Sequence, residues 1–290
     1  MTQENRLYSP KRIKQVMAAH GLRFNKNLGQ NFLIDGNLVR KIADAAELSD
    51  RDTVIEIGPG IGTLTEEILL RSKKVIAVEI DNQLIPVLQK QFADRDNFIL
   101  VHEDAMKVDF RQLIEDHAEG GPVKIVANLP YYITTPILSR LLTEGYPITC
   151  CTVMVQQEVA DRIMARPSTK EYGSLTLFVQ CFARANLVVR APKEVFMPQP
   201  KVDSTVVKLD FLASPPVEKV AVLTNLIQVA FQQRRKTILN SLAVVAGQDK
   251  KVLSAILSDL SIPATARPEN LSLDDFIAIS KSLFNLEDEG

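Results

Sequence analysis

Four short runs rich in valine and isoleucine most constrain what this chain can fold into. TVIEIG (53–58), KVIAVEI (74–80), NFILVHE (97–103) and VKIVAN (123–128) are separated by helical patterns near 64–72, 82–93 and 134–144. Strands that alternate with helices build βαβ units around a parallel sheet. TCCTVMVQ (149–156) reads as a fifth strand, and LVVRA (187–191) and STVVKLDF (204–211) as two more. The expected class is therefore α/β with seven strands, the last of them closing the sheet without long helices in between.

Ser9-Pro10 and Gly21 bracket one helix, and Asp35 is placed to cap another, GNLVRKIADAAEL. Between them FNKNLGQNFL, with Asn, Gly and Gln between apolar ends, reads as a loop. Beyond Phe211 the pattern changes. Ser214-Pro215-Pro216 looks like a linker, and VAVLTNLIQVAFQQ, RRKTILNSLAVVA and KVLSAILSDL are helical, with Ser272, Asp274 and Asp275 opening a last helix. The expected domains are residues 1–211 and a smaller all-helical domain over 212–290.

Charge and cysteine usage narrow the partners and the compartment. Lys+Arg at 34 against Asp+Glu at 35 leave no overall field to draw in nucleic acid. Residues 1–41 nonetheless carry eight basic and two acidic residues; such a segment is ordinarily a solvated face, and it is also a candidate for phosphate contacts. Cys150, Cys151 and Cys181 form no disulfide framework and no C-x-x-C pattern, as expected of buried thiols in a reducing compartment. The N-terminus has no signal-peptide core, and no run approaches the ~18 apolar residues of a membrane span. A cytoplasmic protein is expected, with nothing that demands a dimer.

The ends of the predicted strands carry the chemistry. After the first comes Gly58-Pro59-Gly60-Ile61-Gly62-Thr63, a loop that turns tightly and lets a ligand approach the backbone. Thr63 stands where the dinucleotide fingerprint needs its last glycine, which argues against NAD. Thr63 with Glu66 could instead form a capping box for the next helix. Glu79, about 20 residues past the loop, is placed to hold ribose hydroxyls, and Asp104 to accept from an adenine amino group. Each of these carboxylates could equally do no more than cap a loop.

The fourth strand ends in Asn128-Leu129-Pro130-Tyr131. An exocyclic adenine amine is a weak nucleophile because its lone pair is delocalised into the ring. The Asn128 side-chain oxygen and the Leu129 carbonyl could accept its two hydrogens and localise that lone pair. Pro130 donates no competing N–H, and Tyr131 offers a face on which a base stacks. The plain alternative is an extended turn before proline. Methyl transfer to such an amine needs neither a metal nor a strong base, since positioning and electrostatics supply most of the rate.

With these stretches in view, the chain resembles the S-adenosylmethionine-dependent ribosomal RNA adenine N6,N6-dimethyltransferases. Within that family it looks most like the bacterial enzymes that modify two adjacent adenines near the 3′ end of 16S rRNA. The resemblance spans nearly the whole chain and is carried by NLGQNFLID (27–35), EIGPGIGTLT (56–65), VEID (78–81), EDAMKVD (103–109), NLPYYITTPIL (128–138), VFMPQPKVDSTV (195–206) and AFQQRRKTILNSL (230–242). It implies a Rossmann-like methyltransferase domain with a mixed sheet, S-adenosyl-L-methionine as methyl donor, and 16S rRNA in the immature small ribosomal subunit as partner. Gln30, Asn31 and Leu33 would cover the cofactor, with Gly58, Gly60 and Gly62 beneath its methionine part. Glu79 with Ile80 would hold the ribose, and Asp104 with Ala105 the adenine. Asn128 to Tyr131 would receive the target base, with Phe196 closing over it. Lys201, Arg234, Arg235 and Lys236 are candidates for phosphate contacts. Three rivals remain: a large-subunit rRNA adenine methyltransferase, a non-catalytic nucleic-acid-binding factor on the same fold, and a weakened NAD-dependent oxidoreductase. His20, His102 and His117 show no catalytic pairing.

Overall fold

The computed structural model describes residues 6–25, 28–232 and 236–284. The elements run α1 (Pro10–Ala19), β1 (Phe32–Leu33), α2 (Gly36–Ala45), β2 (Thr53–Ile57), α3 (Thr65–Ile68), β3 (Lys74–Glu79), α4 (Ile85–Gln91), β4 (Phe98–His102), α5 (Phe110–His117) and β5 (Val123–Asn128). They continue with α6 (Thr134–Thr143), β6 (Ile148–Gln156), α7 (Gln157–Ile163), α8 (Ser174–Gln180), β7 (Ala183–Ala191), β8 (Phe196–Met197) and β9 (Ser204–Phe211). Four helices close the chain: α9 (Val220–Gln232), α10 (Ile238–Ala246), α11 (Lys250–Asp259) and α12 (Leu273–Phe284).

The seven-stranded sheet has the order β4-β3-β2-β5-β6-β9-β7. β2, β3, β4, β5 and β6 are parallel, and β9 runs antiparallel to β6. Every residue of β2 is buried, as a strand covered by helices on both faces requires. From β2 the chain winds outward through β3 and β4, then returns to lay β5 on the other side. That reversal is a topological switch point, where open α/β sheets bind ligands beyond the carboxyl ends of their strands.

Local chemistry explains several element ends. The Asp35 carboxylate accepts from the N–H groups of Asn37 (2.7 Å) and Leu38 (3.0 Å), capping α2, which buries Leu38, Val39, Ile42 and Ala43 on one face. Ser272 and Asp275 bond reciprocally at the start of α12: the Ser272 N–H donates to the carboxylate at 2.8 Å, and the Asp275 N–H donates to the hydroxyl at 3.2 Å. The capping box expected of Thr63 and Glu66 is not formed. The Thr63 hydroxyl is buried without a partner, and Glu66 instead accepts from the Leu7 N–H at 3.2 Å.

Gly62 is fixed by sterics. Its φ is +89°, and a Cβ there would lie 2.5 Å from the Phe92 ring. Gly62→Ala is expected to destabilise the fold by about 2–4 kcal/mol, from left-handed strain plus overpacking. Denaturant unfolding checks this, and an unchanged midpoint would mean that the ring gives way freely.

Packing divides the chain into two units. One runs to Ala160 and takes back Asn186–Phe211; the other holds Asp161–Ala185 and the chain from Leu212 on. The single cut after residue 211 expected from the sequence therefore needs amending, because residues 161–185 leave the sheet unit after β6. Tyr172, Leu177 and Cys181 of that excursion join an apolar cluster with Leu223, Leu226, Phe231 and Phe276. The Tyr172 hydroxyl also donates to the Leu271 carbonyl at 2.7 Å. α5, α7 and α8, only seven or eight residues each, are helices the periodicity did not reveal. Among the described residues no helix is long and apolar enough to cross a membrane.

Candidate active site

Because β2, β3, β4 and β5 are parallel, their ends deliver Glu56-Ile57-Gly58, Glu79-Ile80, Asp104 and Asn128 to one edge of the sheet. There they line a single cavity in the sheet unit. The glycine loop folds over this edge, with the Gly58 N–H on the Val78 carbonyl at 3.0 Å and the Gly62 N–H on the Pro59 carbonyl at 2.9 Å. A Cβ at Gly60, where φ is +62°, would lie 3.0 Å from the Phe32 ring, so glycine lets the loop and β1 close together.

Glu79 organises the rim. Its carboxylate accepts from the N–H groups of Asp81 (2.8 Å), Ile80 (2.9 Å) and Gly60 (3.2 Å), tying the loop to the end of β3. Burial pushes its pKa above the ordinary value, the three N–H bonds oppose that shift, and the charge of Asp81 adds to it.

A second carboxylate, Glu56, sits within β2 and also lines the cavity. It is 1% exposed, and its Oε2 has no hydrogen-bond partner. Burial is the main cause that raises its pKa to about 8; Thr65 opposes the shift, and the nearby Glu79 reinforces it. No role was assigned to Glu56 from sequence, although a charge inside an otherwise apolar buried strand is itself a signal.

This predicts a pH dependence of stability. An ordinary glutamate loses its proton near 4.5, whereas folded Glu56 keeps it to about 8. Between those values the unfolded chain binds fewer protons, so wild-type stability falls as pH rises and levels off above the upper one. Glu56→Gln is expected to match wild type near about pH 5 and to unfold at a higher temperature near about pH 9. Melting curves across pH check it; a constant difference between the two proteins would contradict it.

The segment 28–33, expected as a loop, is an arm clipped across the strand ends. The Gln30 amide donates to the Asp81 carboxylate at 2.6 Å and accepts from the Asn25 N–H at 2.9 Å. Asn31 donates to the Gly29 carbonyl at 2.9 Å, and its own carbonyl accepts from Asn128 Nδ2 at 3.0 Å. β1 then pairs antiparallel with β8, setting Leu33 opposite Phe196. Phe196 is thus held on a two-residue strand, 4% exposed, with its face at the cavity lining.

At the corner, the Leu129 N–H bonds the Met154 carbonyl at 3.2 Å. A backbone carbonyl only accepts, so the bond to Asn31 fixes the amide nitrogen of Asn128 and leaves Oδ1 as its acceptor. The Tyr131 hydroxyl lies 3.0 Å from Ser204 Oγ, and burial raises its pKa. Tyr132, 55% exposed, stands at the rim. The Asp104 Oδ1 accepts from the Met106 N–H at 2.9 Å, and the Ala105 carbonyl accepts from Arg140 at 3.0 Å.

Of the residues expected at the site, Gln30, Asn31, Leu33, Gly58, Gly60, Glu79, Ile80, Asp104, Ala105, Asn128, Leu129, Pro130, Tyr131 and Phe196 all line this cavity. Gly62 does not; it packs on Phe92 instead. Lys201 and Lys236 are exposed, and Arg234 and Arg235 lie outside the described residues. Among the described residues the lining carries four carboxyl groups, from Glu56, Glu79, Glu103 and Asp104, of which Glu56 keeps its proton to about 8, and no Lys, Arg or His. Such a cavity favours a cationic ligand and opposes a polyphosphate.

Residues 21–284 match the family described as ribosomal RNA adenine dimethylase. A ribosomal RNA small subunit methyltransferase A from Geobacillus thermodenitrificans is 46% identical over 284 residues, covering 96% of this chain and 97% of that protein. The protein of the same name from Clostridioides difficile is 45% identical over 278 residues, covering 95% and 96%. Among solved structures, a dimethyladenosine transferase from Plasmodium falciparum superposes with a TM-score of 0.72 at 28% identity, covering 86% of this chain and 95% of that one. The 23S rRNA methyltransferase ErmE gives 0.69 at 26%, covering 87% and 99%.

Proposed function

The chain belongs to the ribosomal RNA adenine dimethylase family, and from that premise we propose that it carries methyl groups from S-adenosyl-L-methionine to N6 of two adjacent adenines near the 3′ end of 16S rRNA, in the immature small subunit. It is an rRNA adenine dimethyltransferase. The observation that carries the proposal is the tethered Asn128 amide: its nitrogen is occupied by Asn31, so its oxygen faces the task of accepting from the base, beside a cavity built for a cation.

The residues present suit S-adenosylmethionine. It is a sulfonium that also bears an ammonium and a carboxylate, and the cavity offers it the carboxylates of Glu79, Glu103 and Asp104 and the orphaned oxygen of protonated Glu56, with no Lys, Arg or His among the described lining residues. Glu79 would take the ribose hydroxyls, Asp104 and Ala105 the adenine, and Gln30, Asn31 and Leu33 would roof the site. Bound there, the cofactor supplies an electrophilic methyl group.

The chain's own residues do the rest. In the first transfer Asn128 Oδ1 and the Leu129 carbonyl would accept the two N6 hydrogens, and in the second one of them would accept the single hydrogen left, each time pulling the amine towards a pyramidal form with a localised lone pair. Each transfer forms one N–C bond, breaks one S–C bond and releases one proton. Pro130 keeps the corner free of a competing donor, while Tyr131 and Phe196 enclose a base that must already be unstacked. The enzyme acts as a monomer in the cytoplasm, where its ribosomal substrate is assembled.

Small ribosomal particles from cells lacking the protein, incubated with the enzyme and labelled cofactor, test this proposal. Label in N6,N6-dimethyladenine at two neighbouring 16S positions is expected; label in 23S rRNA, or none, overturns it. The resemblance to ErmE favours the 23S reading, but the small-subunit relatives match at 44–46% identity over nearly their full length and outweigh it.

A further inference from the structure

Away from the cavity, α1 and α4 enclose a separate cleft of about 410 Å³ in the sheet unit, lined by Arg12, Gln15 and His20 from one side and Lys90 and Gln91 from the other, over a floor that includes Val16 and Val87. Among the described residues no carboxylate lines it. α1 carries Lys11, Arg12 and Lys14 and no acidic residue, and α4 carries Lys90 and no acidic residue. The Arg12 Nε is buried without a hydrogen-bond partner. Neither Arg12 nor Lys90 has a salt-bridge partner among the described residues, although ten other ion pairs form there. A buried guanidinium nitrogen left unpaired is costly unless a ligand supplies the acceptor.

Both walls are near the cavity in sequence: α1 ends nine residues before Leu28, the first residue of its lining, and Leu84, just before α4, lines it. Lys90 lies six residues beyond Leu84, about 9 Å along the helix axis. The cleft therefore offers a nucleic-acid strand bound at the Asn128 corner a cationic, amide-lined groove in the same unit.

We propose that the α1–α4 cleft is a phosphate-binding subsite that grips the backbone of the substrate RNA. Arg12 and Lys90 supply the charge, and Gln15, Gln91 and His20 supply further hydrogen-bond donors. The subsite positions the RNA without reading its sequence. This rests on the RNA-methylating function proposed above and assigns part of the binding energy to one place on the surface.

The test separates binding from turnover. The equilibrium affinity of the full-length protein for small ribosomal particles from cells lacking it is measured across a salt series. Lys90→Gln is the lead variant, because Lys90 is exposed and its loss spares the fold; Arg12→Gln and Lys90→Arg accompany it. Each charge removal is expected to weaken binding about 3–10-fold at moderate salt and to lower the slope of log K against log salt by about 0.7–1. Lys90→Arg should restore both, and kcat at saturating particle and the cofactor Kd should stay as in wild type. Wild-type affinity and slope in both charge-removal variants would overturn the subsite. Failure of the wild-type protein to methylate any particle would instead overturn the function itself, whatever the binding curves show.

Discussion

Asn128→Ala is expected to lower kcat for methyl transfer by about 10²–10³-fold, the usual cost of losing one preorganised polar group at a reacting centre, while the cofactor Kd moves by less than about threefold. The alanine removes the acceptor proposed for the amine and leaves Glu79 and Asp104 in place. It also frees the Asn31 carbonyl, which Asn128 otherwise holds at 3.0 Å. Asn128→Asp separates these two effects: it keeps an oxygen at the corner but cannot donate to Asn31. Single-turnover transfer and cofactor titration, run on both variants, provide the reading. Equal and large losses in transfer and in cofactor affinity would mean that Asn128 holds the arm and not the base.

Glu79→Ala is expected to weaken cofactor binding by about 100-fold or more, since charge-assisted hydrogen bonds to ribose hydroxyls are worth roughly 1.5–3 kcal/mol each. The substitution also strands three backbone donors, from Gly60, Ile80 and Asp81, that now converge on one carboxylate. The loop then loses its side-chain tie to β3, so the gain in melting temperature on adding cofactor should vanish along with the affinity. Calorimetric titration measures the first effect and thermal unfolding the second. A variant that melts earlier yet still binds cofactor as tightly as wild type would reduce Glu79 to a structural clasp.

The legibility of this protein in its sequence was uneven, for physical reasons. The strand runs at 53–58, 74–80 and 123–128 stood out because parallel strands covered on both faces are largely apolar, and all four, with 97–103 at the sheet's edge, are short and rich in Val and Ile, which favours strand over helix. Their ends were legible for the same reason, since a polar residue at the close of such a run has few places to go except the edge of the sheet. Asn128, Glu79 and Asp104 were found in this way. β1 and β8 were not, because two residues carry no period. α5, α7 and α8 escaped for a related reason, each offering about two turns. Gly62 was read with its neighbours as part of the cradle, yet the Phe92 ring is what demands it.

By itself the sequence determined which segments build the seven-stranded sheet, which edge its parallel strands share, and which side chains stand at that edge, because those follow from local period and polarity. Only the tertiary structure decided what those side chains are free to do. The Asn31–Asn128 bond that occupies the amide nitrogen and leaves its oxygen as acceptor joins residues 97 positions apart. The unpaired oxygen of Glu56 follows from complete burial, and the return of residues 161–185 to the helical unit depends on partners beyond residue 212. Desolvation and long-range pairing are properties of neighbours in space, which the order of residues along a chain does not contain.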